Sequence, residues 1–414
     1  MDSTKERDNI LTRFGTAMGN ISMKYMPDAA TFAVIFTIIA FVGGIVLAKQ
    51  TPMQMVGHWY TGFWSLLAFS MQIALGVTTG SAIAHHPTVK RWIRAACDKP
   101  KTGAQGAALA CVFGILAHYI HWGLGIIVGA IASLEIARAL RRKGVKFHYG
   151  LIVAAGFTGE MCWHGGLSAS VGLTIAQPGH FLEAEMGVIP FINYLVNPMN
   201  IILLIAFAVI PPVICYVLHP KEDKCPELRP ETIAVLDEPD VEAKKLDLAS
   251  ASTGDRISHS RILGWALAAI GWVFLINHFI KNGFSLDMDV VNTIFLFVGI
   301  AMYGDLTQYV AAVRNSIGGI TGIVFKFPLY GGVLGMVRYS GLVAILANGL
   351  ASISTQLTFP LVTFLTAAIV NLFVPSGGGQ WAVQGPVSIA SAKLMGADLL
   401  KTPLCVAYGN TWTN

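Results

Sequence analysis

The chain has 414 residues, 54% of them hydrophobic and 12% charged, and its mean hydropathy is +0.61. Soluble domains carry about 25% charged residues, so half that load argues against a soluble enzyme or binding module and for a chain that crosses a bilayer repeatedly. The formal net charge of +5 fits lysines and arginines in cytoplasmic loops and argues against a nucleic-acid face.

Residues 1–27 hold Lys5, Arg7, Arg13 and Lys24 but no apolar core of a cleavable signal, and read as a cytoplasmic N-terminal segment. A first span at about 28–49 and a second at about 57–84 place this cluster and the next, Lys90 to Lys101, on the same face, as the positive-inside rule asks. The apolar run Gly106–Ala137 is broken at His118–Gly125 and followed at once by Arg138, Arg141, Arg142 and Lys143. A single crossing would put one of two strongly basic loops outside. A re-entrant hairpin at about 106–137 keeps both inside, and that is the expected arrangement. Spans at about 148–177 and about 190–218 complete a first transmembrane repeat over 28–218, the former interrupted by Thr158–Gly166. Residues 219–260 read as a cytoplasmic linker, and 261–280 as a single connecting helix.

Beyond it the pattern recurs over 284–414. A displacement of 256 residues carries Gly76 onto Gly332, Gly123 onto Gly379 and Gly129 onto Gly385. The tip at Ile120–Gly125 then overlays Ser376–Trp381, within a second hairpin at about 359–393. One connecting span between the copies inverts the second, and the segment matching the basic loop, 342–358, contains no Lys or Arg. The expected fold is therefore all-α and polytopic, with inverted-topology repeats, each holding a re-entrant hairpin and an unwound transmembrane helix. Such breaks mark a transporter site near the midplane. At a displacement of 249, Trp163 overlays Trp412, making Gly409–Asn414 the second unwound span and leaving the C-terminus apparently incomplete.

Four breaks are thus expected to converge: Ile120–Gly125, Gly159–Ser170, Pro375–Gln384 and Gly409–Asn414. Helix N-termini beyond them offer N–H groups to a carboxylate. The candidate substrate-binding set is His121, Trp122, Gly123, Trp163, His164, Gly165, Ser168, Ser376, Gly377, Gly378, Gly379, Gln380, Trp381, Gln384, Asn410, Trp412 and Asn414, with Ser170 and Thr411 as further neutral groups. Glycines and serines also serve plain helix packing, and tryptophans interfacial anchoring. Three consecutive glycines after Pro-Ser, and a Trp in the middle of each break, favour the site. Glu160, His164 and Lys326 are candidate ion-coupling groups, though Glu160 and Lys326 also read as a neutralising structural pair. His118, His121, Glu160 and His164 do not follow a metal-ligand spacing beyond a three-residue step, so no metal is assigned. The six cysteines show no CxxC spacing and read as free thiols. No P-loop, ATP-hydrolysing module or Ser-His-Asp signature is visible. The chain is read as a transporter with no cofactor, drawing on an ion gradient.

Ile120–Gly129, Val374–Trp381 with Gln384-Gly385-Pro386, Ala407–Asn414 and Gly62–Phe69 resemble the bacterial short-chain fatty acid transporter family, across nearly the whole chain. The resemblance implies membership of the ion transporter superfamily: an inverted-repeat fold with two re-entrant hairpins, a homodimer and an elevator-like movement. It also implies acetoacetate, butyrate or a similar short monocarboxylate as cargo, symported with H⁺ or Na⁺ across the cell (inner) membrane. This sequence departs from the family pattern at His164, in place of the first glycine of Trp-Gly-Gly-Gly, and at Glu160, His121 and Lys326. These departures add titratable groups to the presumed site. Alternatives are a dicarboxylate cargo, which needs a second cationic cradle such as Lys326 or Arg338, and an intramembrane metalloenzyme built on the histidines.

Overall fold

The apolar runs form helices whose ends are set by short polar side chains. In the computed structural model, which describes residues 24, 27–237, 252–372 and 374–413, no strand occurs among the described residues. The first copy holds α1 (Ala29–Val46), α2 (Pro52–Ser65), α3 (Leu67–Ala84), α4 (Pro87–Cys97), α5 (Gly103–Ile120), α6 (Trp122–Arg142), α7 (Tyr149–Phe157), α8 (Glu160–Trp163), α9 (Ser170–Ala176) and α10 (Pro198–Leu218). After the linker come α11 (Arg261–Asn282), α12 (Met288–Tyr303), α13 (Leu306–Ser316), α14 (Thr321–Tyr339), α15 (Leu342–Ser352), α16 (Phe359–Asn371), α17 (Gly377–Met395) and α18 (Lys401–Trp412). Thr51 and Gln54 form a reciprocal capping box on α2, Asp28 caps α1 and Asp287 caps α12.

The helix boundaries repeat. A displacement of 256 residues carries α1 to α7 onto α12 to α18, with every boundary within five residues. Packing follows the same exchange: α14 lies against α1 and α2, and α3 lies against α12 and α13. The closest of these crossings depends on glycine. A Cβ on Gly62 would sit 2.3 Å from the Gly331 carbonyl oxygen and 2.5 Å from Gly335 Cα, so the backbones of α2 and α14 touch.

α5 and α6 form an antiparallel pair broken at His121, whose backbone is extended (φ −160°, ψ 131°). Their outer, basic ends are tied together: Arg142 pairs with Asp98 at 3.0 Å, and Lys143 Nζ donates to the Pro100 carbonyl at 3.0 Å. Their tip is enclosed, with His118 and His121 buried. A short helix of the linker, Pro230–Asp237, is strapped to the same end, since Arg138 Nε donates to the Leu236 carbonyl at 3.1 Å. By contrast, α10 and α11 keep only 11% and 22% of their apolar windows inside the protein, leaving the rest for lipid.

Several sequence expectations change here. The span at 57–84 is two helices, α2 and α3, broken at Leu66. Gly409–Trp412 is not unwound: α18 runs through Trp412 and matches α7, not the broken segment that follows α7, while Asn414 lies outside the described residues. Gly409 serves close approach instead of a break, because a Cβ there would lie 2.3 Å from the Phe364 carbonyl oxygen. The second hairpin's non-helical stretch is also shorter than Pro375–Gln384, since α17 already begins at Gly377. Much of segment 1–27 and residues 238–251 of the linker lie outside the described residues.

Because the α2–α14 crossing has no room for a side chain, Gly62→Val should cost about 1–3 kcal/mol. Gly57→Val, at a position where a Cβ meets nothing within 4 Å, should stay within about 0.5 kcal/mol; unfolding of the detergent-purified protein compares the two.

Candidate functional site

The break between α7 and α9 is the hub. Its backbone turns at Gly159 and again at Gly165–Ala169, exposing peptide groups that must find partners within the protein. The first tip supplies two of them. Leu167 N donates to the Tyr119 carbonyl at 2.7 Å, and Trp122 N donates to Ser168 Oγ at 3.0 Å. Tyr194 OH donates to the His164 carbonyl at 2.8 Å, and Asn200 Nδ2 donates to the Gly165 carbonyl at 3.1 Å. Trp163 Nε1 closes the turn on the Ser168 carbonyl at 2.8 Å, and its ring stacks between Trp122 and His164 at centroid distances of 4.9 and 4.2 Å.

The second tip meets the same segment from the other side. A Cβ on Gly377 would lie 2.2 Å from His164 Cε1 and 3.0 Å from Ser170 Oγ. Gly378 faces Phe69, and Gly379 faces Tyr330 and Phe327. The three consecutive glycines are therefore helical and serve close approach to rings, not an open loop. Phe69 and Phe327 pack edge to face at 5.7 Å, walling the first turn of α17 with apolar surface.

Behind this turn lies a chain of buried amides. Asn410 Nδ2 donates to Asn371 Oδ1 at 2.5 Å and to Gln380 Oε1 at 2.7 Å. Gln380 Nε2 in turn donates to the Ala367 carbonyl and to Gln384 Oε1, both at 2.8 Å. Asn410 Oδ1 faces His164 Nε2 at 3.0 Å. Gln380, Gln384 and Asn410 are thus engaged with one another, binding α16, α17 and α18 together.

The expected residues sort accordingly. His164, Ser168, Gly165, Trp163, Trp122, Gly377 and Gly378 meet around the hub. His121 and Gly123 belong to the tip, but their role differs from the expected carboxylate cradle: His121 Nδ1 accepts from Gly123 N at 3.1 Å, and Ser168 takes the Trp122 N–H. Ser376 caps α17 through Gly379 N at 3.4 Å. Trp381 is buried, whereas Trp412 is exposed and stacks on Phe364, because the helical run of α18 turns it outward. Glu160 is half-buried at the start of α8. Lys326 forms no ion pair among the described residues and folds over Gly322, so the Glu160–Lys326 pair is not made. Arg338 is engaged with Glu185 at 2.6 Å and with the Phe181 carbonyl at 2.5 Å, which removes it as a second anion cradle. Among the described residues no three His, Cys, Asp or Glu side chains gather as a metal site.

Buried polar atoms with no protein partner at this place include His164 Nδ1, Ser170 Oγ, Trp122 Nε1 and Tyr330 OH, the first two bordering Gly377. A cavity of about 190 Å³ lies elsewhere, between the ends of α16 and α18 at Gln356, Asp398 and Lys401, away from this chemistry. Asn371, Phe69, Phe327, Tyr330, Tyr194, Asn200 and Tyr408 were not expected as site residues. Asn371 is the last residue of α16, a few positions before the Val374–Ser376 stretch, a usable signal, but nothing local pairs Phe69 with a glycine more than 300 positions away.

The family model for short chain fatty acid transporters matches residues 10–414. The chain belongs to the short-chain fatty acid transporter family. Curated relatives named for short-chain fatty acid transport include one from Haemophilus influenzae, 36% identical over 98% of this chain and 90% of the relative, and one from Escherichia coli K12, 35% identical over 98% and 90%. Two solved transporters share the fold with a TM-score of 0.55. Alcanivorax borkumensis YdaH, noted for an unusual topology, is 14% identical over 94% of this chain and 87% of its own. Neisseria gonorrhoeae MtrF, of a class of antimetabolite efflux pumps, is 16% identical over 94% and 85%. This family member is a multi-pass membrane protein.

Asn410→Leu in this transporter would strand the Gln380 Oε1 acceptor and leave His164 Nε2 without its partner in the interior. An unsatisfied buried group costs about 1–3 kcal/mol, so a drop in thermal midpoint larger than that of Thr411→Val is expected, measured on the purified protein in detergent.

Proposed function

We propose that this chain is a secondary active transporter that binds a short-chain monocarboxylate, of the acetoacetate or butyrate type, in the space opened when the first turn of α17, packed too closely here to admit a Cβ on Gly377, moves off the broken segment at His164–Ser170. The observation that carries the reading is the pairing of a long helix N-terminus with two buried, unpartnered polar atoms, Ser170 Oγ and His164 Nδ1, directly beside Gly377. The first N–H groups of a helix have no intrahelical acceptor, and a carboxylate there also meets the positive end of the helix dipole. Ser170 Oγ donates to the same carboxylate. The apolar tail runs along Phe69, Phe327 and Tyr330. A small, singly charged acid with a short apolar end matches this arrangement, and the engagement of Arg338 by Glu185 disfavours a second carboxylate.

Energy comes from an H⁺ or Na⁺ gradient in this proposal. The two copies are inserted with opposite orientation, as the single α11 between them requires. The basic ends of α4 and α6 face the cytoplasm with the N-terminus, the membrane is the inner cell membrane, and the assembly is a homodimer.

Proteoliposomes carrying the chain should show saturable uptake of labelled acetoacetate or butyrate above protein-free vesicles, competed by other monocarboxylates and not by succinate. Gly377→Ala places a methyl within contact of His164 Cε1 and should lower uptake at least about tenfold while the protein still inserts. Absence of saturable uptake under every imposed ion gradient would overturn the cargo.

A further inference from the structure

The hydrogen-bond directions around His164 fix its tautomer, and the fixing starts from a backbone group. The Ala367 carbonyl can only accept, so the group that Gln380 presents to it at 2.8 Å is its NH₂. The other end of that amide, Oε1, therefore faces Asn410, 2.7 Å away, and must be met by the Asn410 NH₂. Asn410 Oδ1 is then the atom that faces His164 Nε2 at 3.0 Å, and it too can only accept. His164 Nε2 consequently carries a hydrogen. In a neutral imidazole one nitrogen donates and the other accepts, so Nδ1 is left as a bare lone pair, buried and without a partner.

His164 Cε1, the atom bonded to Nδ1, is the ring atom nearest Gly377, 2.2 Å from where its Cβ would lie, so the lone pair borders the position proposed for the carboxylate. Two acceptors facing each other in a dry interior repel, and each would be left unsatisfied. Tautomer exchange offers no relief, because moving the hydrogen to Nδ1 would put a bare Nε2 against Asn410 Oδ1. One added proton between them removes the repulsion and gives both atoms a partner. The surrounding side chains do not substitute for it. Tyr194 OH is occupied in donating to the His164 carbonyl, and Tyr408 OH in donating to Asn200 Oδ1 at 2.5 Å. The other titratable groups nearby on the same segment are Cys162 and, one turn back, Glu160, neither of them a cation. Gly377 and Ser170 are neutral.

We infer that His164 is the residue that couples substrate to proton: each monocarboxylate binds together with one H⁺ from solvent, held between a carboxylate oxygen and Nδ1. This deepens the site assignment above and rests on it. The balance is simple. A carboxylate and a proton enter, no covalent bond of the protein is broken, and the loaded site carries no more charge than the empty one. An ion pair assembled in this way also avoids placing a lone anion at membrane depth.

Isothermal titration of the purified transporter with acetoacetate, in buffers of different ionisation enthalpy, reads protons taken up per acid bound. About one proton per acid is expected for the unmodified chain at alkaline pH, with affinity falling about tenfold per pH unit there. His164→Gly, which removes the acceptor and leaves space for water on Asn410, should bind acid with proton uptake near zero and pH-independent affinity. Binding by the unmodified chain with no proton uptake overturns this inference and leaves the cargo reading intact. Full proton uptake by His164→Gly overturns the assignment to His164. Failure of the unmodified chain to bind any monocarboxylate removes the cargo reading and this inference with it. If His164→Gly does not fold, proton uptake by the unmodified chain still decides whether the acid brings a proton, and His164→Gln, which keeps a donor for Asn410 but cannot take up a proton, decides whether His164 holds it: full uptake by that variant overturns the assignment.

Discussion

A helix interrupted in hydrocarbon leaves peptide groups that lipid cannot satisfy, and this molecule is assembled around meeting that demand. Between Glu160 and Ser170 the carbonyls of His164, Gly165 and Ser168 and the N–H of Leu167 all find protein partners, drawn from Tyr194, Asn200, Trp163 and Tyr119. Those partners come from the first hairpin tip, from the short turn before α10 and from α10 itself. Tyr408 of α18 orients Asn200 in turn. Each neighbour of the break is thus held in place by the break, and the binding groups inherit that rigidity.

The two hairpin tips correspond at a displacement of 256 residues yet are chemically unequal. At the first, His121 occupies the Gly123 N–H and Ser168 occupies the Trp122 N–H, so the first two N–H groups of α6 are met from within the protein. At the second, the capping side chain reaches Gly379 alone, and the atoms beside Gly377 are an unpartnered hydroxyl and an unpartnered imidazole nitrogen. A duplicated scaffold with its two helix N-termini so differently furnished suits the proposal of one anion, not two. The asymmetry resides in the side chains, while the helix boundaries keep the repeat.

The architecture was legible because its signals are local or periodic. Apolar length marks α1, α10 and α11, charge clusters mark the outer ends of α5 and α6, and the glycine spacing at 256 residues marks the second copy. The site was half legible. Val374–Gly379 and Gly159–Ser170 announce themselves as breaks in greasy sequence, but composition cannot say whether glycine loosens a helix or lets it approach a neighbour. Gly377–Gly379 and Gly409 do the latter. The displacement of 249 misplaced Gly409–Trp412 because one tryptophan pair outweighed the register of whole helices. The partners of Gly378 and Gly379, namely Phe69, Phe327 and Tyr330, are set by tertiary packing and leave no mark in neighbouring sequence.

The way charge is distributed fits the same logic. Fixed ion pairs sit at the outer ends, where Glu135 bridges Arg94 and Arg138 and where Arg338 meets Glu185. The centre is built mainly from amides, hydroxyls, rings and the imidazoles of His118, His121 and His164, with the half-buried carboxyl of Glu160 at its margin, and the amide chain runs in a single direction from His164 through Asn410 to Asn371 and Gln380. A permanent cation at that depth would hold a carboxylate tightly in every conformation and would be exposed to a costly environment whenever the site emptied. Neutral donors bind more weakly and remain satisfied, or nearly so, without cargo. On the proposed reading, release requires only that the carboxylate and whatever balances it leave together, and a chain that works in both loaded and empty forms gains from having no permanent cation at the crossing point.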